Sequence, residues 1–362
     1  MEIGIIGLPL SGKTVLFSAL TGLTPQFSHI SGKIEVHRGV VEVPDPRLDE
    51  LTKIFKPKKQ VNATIQYLEV GGLEKDSGKG KGFDPQFLTL LKNTDALCVV
   101  IRMFEDKIFP HPLGSIDSVR DIQIIETEFI LSDLGIVENR IQRLEKQIMK
   151  GKTEEDVKAL DLMKKCQTLL EEEHPLREID FSEQEEKEMR GYQFLSAKPV
   201  IFTINYGEQD IPQEGKILDK LKDLVSRKGV EITGLSAKVE MEISQLEADD
   251  KILFLEELGI SEPASHKLIK KSYGLLGLIS FFTVGDPECH AWTIKKNTPV
   301  QKAAGSVHSD LERGFIRAEV INYSDFTELK SMAKCREKGI LRLEGKEYIV
   351  QDGDIVTVRF NV

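Results

Sequence analysis

Apolar positions recur along this chain with two different periods, and the organisation changes where the period does. Up to about residue 120, short apolar runs alternate with helical spacing. Ile3, Ile5 and Ile6 form a first short run, and residues 15–20 start a helix. Residues 40–43 and 63–70 read as strands, and 96–101 is continuously apolar, as in a strand buried on both faces. Strands alternating with helices predict a doubly wound, mainly parallel sheet with its ligand at the strand C-termini. From 121 to 190 charge rises, glycine nearly vanishes and helical spacing takes over. Val137, Ile141, Leu144 and Ile148 form a narrow seam suited to an antiparallel helical pair. Gly151-Lys152-Thr153 is the expected turn, with Thr153 as the cap of a returning helix that carries Val157, Leu160, Leu169 and Leu170. Residues 199–205 and 231–238 resume the sheet pattern. The last ~85 residues hold short strands and turns, ending in 348–350, Asp352-Gly353-Asp354 and 355–360, which is hairpin chemistry. The expected division is therefore a nucleotide-binding domain of 1–120 and 191–276, an inserted helical hairpin arm of 121–190 and a small β-rich C-terminal domain of 277–362.

The turn after the first strand carries the chemistry. Gly7-Leu8-Pro9-Leu10-Ser11-Gly12-Lys13-Thr14 fits Gly-x-x-x-x-Gly-Lys-[Ser/Thr], with an apolar strand before it and a helix from Val15 after it. A strand, a glycine turn and a helix N-terminus aim backbone N–H groups at an anion. Lys13 is expected at the β- and γ-phosphates of a nucleotide, and Thr14 offers its hydroxyl to Mg²⁺.

Composition narrows the class. The chain has 362 residues, too many for one ordinary domain, with 40% hydrophobic and 30% charged residues. No apolar run approaches the ~18–20 residues of a membrane span, and the N-terminus reads straight into a strand, so neither a span nor a signal peptide is expected. The four cysteines (98, 166, 289 and 335) are far apart, which argues against a zinc site or a disulfide framework and fits a reducing cytoplasm. Net charge is −10, yet residues 279–362 carry 12 acidic and 12 basic residues, so the whole acidic excess lies before 279. That balance argues against general or sequence-specific DNA binding and leaves docking on one face of a larger RNA–protein particle open.

Longer stretches carry a family resemblance. Val43-Pro44-Asp45-Pro46-Arg47-Leu48-Asp49, Lys56-Pro57-Lys58-Lys59, Phe104-Glu105-Asp106 and Arg140-Ile141-Gln142-Arg143-Leu144-Glu145-Lys146 are joined by a C-terminal block. That block runs through Ala291-Trp292-Thr293-Ile294-Lys295-Lys296, Ala303-Ala304-Gly305-Ser306-Val307-His308-Ser309-Asp310 and Glu312-Arg313-Gly314-Phe315. Over nearly its whole length the chain resembles the YchF subfamily of Obg-like P-loop NTPases, whose C-terminal domain is a β-grasp-like TGS module. The resemblance implies a cytoplasmic, monomeric protein that binds ATP with Mg²⁺, hydrolyses it slowly as a switch and works on the ribosome. GTP binding, or a nucleotide-sensing scaffold without hydrolysis, are the alternatives.

The resemblance also assigns residues. Asn205-Tyr206-Gly207-Glu208 takes the place of the Asn-Lys-x-Asp guanine clamp, and Ser236-Ala237-Lys238 the place of the companion loop, with the Ala237 N–H expected at the base. Tyr206 is a possible obstruction to guanine. His111, seven residues after Phe104, is the residue implied to orient the attacking water. Three positions depart from the family. Leu10 replaces an Asn implied to help hold a monovalent cation, Lys33 replaces the switch I Thr, and Glu69 replaces the switch II Asp that reaches Mg²⁺. Leu73 stands where Ras-like GTPases carry Gln. Gly78, Gly80 and Gly82 suggest that 71–86, like 28–40, belongs to the switch.

Overall fold

The computed structural model describes residues 1–24, 35–71 and 83–361. Lys33, Leu73, Gly78, Gly80 and Gly82 lie outside the described residues. By contacts the chain divides into one unit of Met1–Gly39 and Gln66–Leu268 and a second of Val40–Ile65 and Ile269–Val362.

In chain order the first elements are β1 (Glu2–Ile6), α1 (Lys13–Thr21), β2 (Glu35–Glu42), α2 (Pro46–Phe55), β3 (Lys59–Val61), β4 (Thr64–Gly71), α3 (Pro85–Lys92), β5 (Ala96–Met103), α4 (Ser118–Lys150), α5 (Glu154–Glu171), β6 (Val200–Tyr206) and β7 (Val230–Leu235). The first sheet runs β2-β4-β1-β5-β6-β7. β1 pairs in parallel with β4 and β5, and β5-β6-β7 continue in parallel. Every residue of β6, and all but the last of β5, is buried, as the apolar run at 96–101 predicts for a sheet covered on both faces. The C-terminal ends of β1, β5, β6 and β7 therefore open on one edge, where a doubly wound sheet takes its ligand.

The seam at 137–148 folds as expected. Val137, Ile141 and Leu144 are buried, and Thr153 caps α5 by accepting the Asp156 N–H at 3.1 Å. The returning face is set by Ala159, Leu162, Met163, Cys166 and Leu170, with Val157 and Leu160 only half-buried. α4 begins well before the arm. Ile122, Ile125 and Phe129 pack into the core of the sheet, and from Ile130 onward the same helix builds the core of the arm. Glu126 fixes the junction by pairing with Arg177 and Arg227.

Asp133, on the same helix, is fully buried and accepts the N–H groups of Leu195 and Ser196 at 2.9 and 2.7 Å. Desolvation nevertheless pushes its carboxyl from 3.8 up to about 6. Between these values the unfolded chain releases a proton that the folded chain keeps. The group's contribution is thus complete at low pH and is lost as pH rises through that window, by about 3 kcal/mol. Asp133→Asn removes the titration, so its stability relative to the unmodified chain should rise between pH 4 and 7. Urea denaturation at both pH values measures this; parallel pH profiles for the two proteins would show that Asp133 does not titrate on unfolding.

The second unit holds a six-stranded sheet. Its later strands are β8 (Leu278–Thr283), β9 (Glu288–Lys295), β10 (Phe315–Asn322), β11 (Arg342–Glu344) and β12 (Asp354–Phe360), in the order β11-β10-β12-β8-β9-β3. The β8–β9 hairpin is followed by the helix Val300–Val307, and β12 returns parallel to β8, the β-grasp arrangement. Ile279, Phe281, Ala303, Val320 and Val356 fill the space between helix and sheet. The sequence-based division places 40–65 with the nucleotide domain, whereas these residues group with the C-terminal unit. The reasons are contacts distant in sequence: β3 covers the open edge of β9 in parallel pairing, Phe55 stacks on Phe326 at 5.4 Å, and Arg47 pairs with Asp352 at 2.8 Å.

Candidate functional site

The loop 7–12 leaves β1 and enters α1 through two glycines that admit no side chain. A Cβ on Gly7 would lie 2.4 Å from the Val100 carbonyl oxygen. Gly12 has φ +92°, and its Cβ would lie 2.3 Å from Asn205 Nδ2. Between them Leu8 turns into the sheet core, Pro9 is half-buried, and Leu10 is exposed with φ 62°. The buried Ser11 Oγ has no hydrogen-bond partner among the described residues, and a Ser11 N–H to Leu8 carbonyl bond at 3.3 Å closes the turn. Val15, on the first turn of α1, is exposed.

Lys13 is buried, and its Nζ reaches back across the loop to donate to the Leu8 carbonyl at 2.9 Å. Thr14 donates its hydroxyl to Glu69 Oε1 at 2.5 Å, with Glu69 buried on β4. The two residues expected to serve Mg²⁺ are thus in direct contact, although 55 positions separate them. A hydroxyl and a carboxylate are hard oxygen donors, and Mg²⁺ takes such a pair together with substrate phosphates and water. Among the described residues there is no group of three or more His, Cys, Asp or Glu that could hold a metal unaided. The donor set fits Mg²⁺ held with a phosphate, and the extra methylene of Glu69 does not prevent contact with Thr14.

On the other side, Asn205, the penultimate residue of β6, ties two loops together. Its Nδ2 donates to the Ser11 carbonyl at 2.9 Å, and its Oδ1 accepts the Ala237 N–H at 2.9 Å. The Ala237 N–H, expected at the base, is given to Asn205 in this arrangement. Ser236 is buried at the N-cap of the helix Ala237–Ser244. Glu208 is exposed at the start of a 3-10 turn, Glu208–Gln213. Tyr206 does not stand in the opening. Its ring is buried against Gly234, where a Cβ would meet Tyr206 Cε1 at 2.7 Å, and desolvation pushes its phenol above the ordinary range. The ring thus belongs to the core.

His111 is not gathered with these residues. Its side chain is only 3% exposed, Nε2 lies 2.9 Å from Asp121 Oδ2, and Nδ1 accepts the Leu113 N–H at 3.2 Å. Leu113 N–H fixes Nδ1 as the acceptor, so Nε2 carries the proton toward Asp121. Both nitrogens are engaged, and neither is turned to an attacking water in this arrangement. The ring's pin is Asp121, on the first turn of α4, which Arg120 holds at 2.8 Å.

Sequence reasoning passed over Arg102. It is buried at the end of β5 and donates to the carbonyls of Leu10, Phe104 and Phe109 at 3.3, 3.1 and 2.7 Å. One signal was available: a single arginine closing an otherwise continuous apolar strand next to a phosphate-binding motif.

Comparison with known proteins agrees over the full length. The family model YchF-GTPase_C, described as a protein of unknown function (DUF933), matches residues 278–361. The ribosome-binding ATPase YchF of Bacillus subtilis is 40% identical over 362 residues, covering 99% of each chain. Its namesake in Escherichia coli O157:H7 is 38% identical over 361 residues, again covering 99% of each. Among solved structures, the YchF GTPase of Schizosaccharomyces pombe superposes with a TM-score of 0.85 at 30% identity, covering 99% of this chain and 97% of the other.

Proposed function

Because the chain belongs to the YchF family, we propose that it binds ATP with Mg²⁺ at the loop 7–15, hydrolyses it slowly as a conformational switch, and docks on the ribosome through its helical arm and its C-terminal β-grasp unit. One observation carries the reading. A glycine cradle spanned by the buried Lys13 is flanked by the Thr14–Glu69 contact on one side and by the Asn205 bridge on the other. Backbone N–H groups of 7–15 and the Lys13 ammonium would take the phosphates. Thr14 and Glu69 would hold Mg²⁺, which when bound neutralises phosphate charge. Hydrolysis here would rest on position and electrostatics. The ribosome enters the reading because the bacterial relatives carry it in their names.

The base follows from what the Asn205–Glu208 loop lacks. A guanine clamp uses a carboxylate that accepts from N1–H and the 2-amino group, and adenine has neither. Restoring the clamp with Gly207→Lys and Glu208→Asp should move preference toward GTP, since each hydrogen bond to a charged acceptor contributes about 1.5–3 kcal/mol. The backbone admits the change: Gly207 has φ −72°, and the nearest atoms to its Cβ are the far end of the Gln209 side chain, from 2.6 Å, which has to swing aside. Titrations of Mg-ATP and Mg-GTP against both proteins, with phosphate release followed, are the test. An unmodified chain that prefers GTP would end the adenine reading.

A second reading, ATP binding without turnover, is favoured by His111. To orient water its ring would have to give up Asp121 or the Leu113 N–H. Tight binding with no phosphate release in the same titration would select this reading.

A further inference from the structure

We propose that Arg102 is a positioning residue that passes nucleotide occupancy of the loop 7–12 to the loop that carries His111. The proposal rests on the reading of 7–12 as the phosphate cradle. Arg102 is 2% exposed, and its fork joins backbone oxygens from two separate loops. Nη1 donates to the Leu10 carbonyl in the cradle, while Nε and Nη2 donate to the Phe104 and Phe109 carbonyls in the segment leading to His111. The guanidinium also lies over the Phe104 ring, 4.5 Å from its centroid.

Each end of this connection is constrained. Leu10 sits at φ 62°, a conformation rare for a side chain of its kind, and its carbonyl is the one Arg102 holds. At the other end, Asp106 accepts the N–H groups of Ile108 and Phe109 at 2.8 and 3.0 Å, which closes the turn that Arg102 grips at Phe104 and Phe109. Two residues beyond Phe109, His111 is pinned to Asp121 on α4. The path therefore runs Leu10, Arg102, Phe109, His111, Asp121.

The trigger is chemical. Lys13 Nζ donates to the Leu8 carbonyl, two residues before Leu10. A phosphate competes for that ammonium, and a change in this bond alters how the segment 8–10 is held. The fork is planar and its donors are fixed relative to one another, so it cannot follow Leu10 without disturbing Phe104 and Phe109. A lysine would supply the charge without that geometry.

Hydrogen–deuterium exchange of the full chain, with and without Mg-ATP, tests this in the unmodified protein, Arg102→Gln and Arg102→Lys. In the unmodified protein, ATP should change exchange rates in 104–113 by about fivefold or more, alongside protection of 7–15. In both variants ATP should still protect 7–15, while 104–113 no longer responds. Should Arg102→Gln fail to fold, Arg102→Lys, which keeps a cation in place, decides the matter alone. An undiminished response of 104–113 in Arg102→Lys overturns the proposal. So does an unmodified protein in which ATP protects 7–15 but leaves 104–113 unchanged. An unmodified protein that shows no protection of 7–15 overturns the nucleotide reading itself, and the coupling with it.

Discussion

Lys13→Ala should weaken Mg-ATP binding by about tenfold to more than a hundredfold, because a charge-assisted phosphate contact contributes roughly 1.5–3 kcal/mol. The fold should survive. Lys13 lies on the first turn of α1, and its ammonium donates to the Leu8 carbonyl. Leu16, Phe17 and Leu20, which anchor that helix in the core, are untouched. Isothermal titration gives the affinity, and circular dichroism on the same sample reports the fold. An intact variant that binds ATP as tightly as the unmodified chain would remove the loop 7–15 from consideration as the site.

Asn205→Ala should act mainly on stability. The amide of Asn205 is 3% exposed and uses both ends, holding Ser11 from one side and Ala237 from the other. Alanine leaves a buried carbonyl and a buried N–H without their partner, at about 1–3 kcal/mol for each group, or about 2–6 kcal/mol together. The loss falls on the cradle and the Ser236-Ala237 loop at once, so ATP affinity should drop with it. Urea denaturation gives the stability change. A loss below about 1 kcal/mol would mean that the two loops hold their places without the bridge.

Much of this was legible in the chain because the signals are local. The phosphate-binding run is eight consecutive residues, the strand at 96–101 declares its burial by composition, and the arm shows its seam at 137–144. The pairing of Thr14 with Glu69 was legible only as two separate expectations. What was not legible depends on partners that leave no sequence mark. Arg102 donates to backbone carbonyls, which every residue has, so nothing in the neighbouring side chains announces it. Asn205 meets Ser11 across 194 positions, and it also takes the Ala237 N–H. The grouping of 40–65 with the C-terminal unit depends on β3 finding the edge of β9, a non-local choice. Tyr206 reads as a loop residue beside Asn205 and is in fact the last residue of a fully buried strand.

The continuity of α4 has a mechanical consequence. A helix of 33 residues is about 50 Å long, and this one begins beside His111 through Asp121 and ends at Lys150. Its first turns are seated among the strands and the remainder is the spine of the arm, with no joint between. Such a body behaves as a lever with a short inner limb and a long outer one. The outer limb from Ile130 to Lys150 is about 30 Å long, so a tilt of only about 5° at the seat sweeps the far end through about 3 Å, on the order of two residues of helical rise. A movement too small to disturb the packing around Phe129 would therefore be large when it reaches the tip.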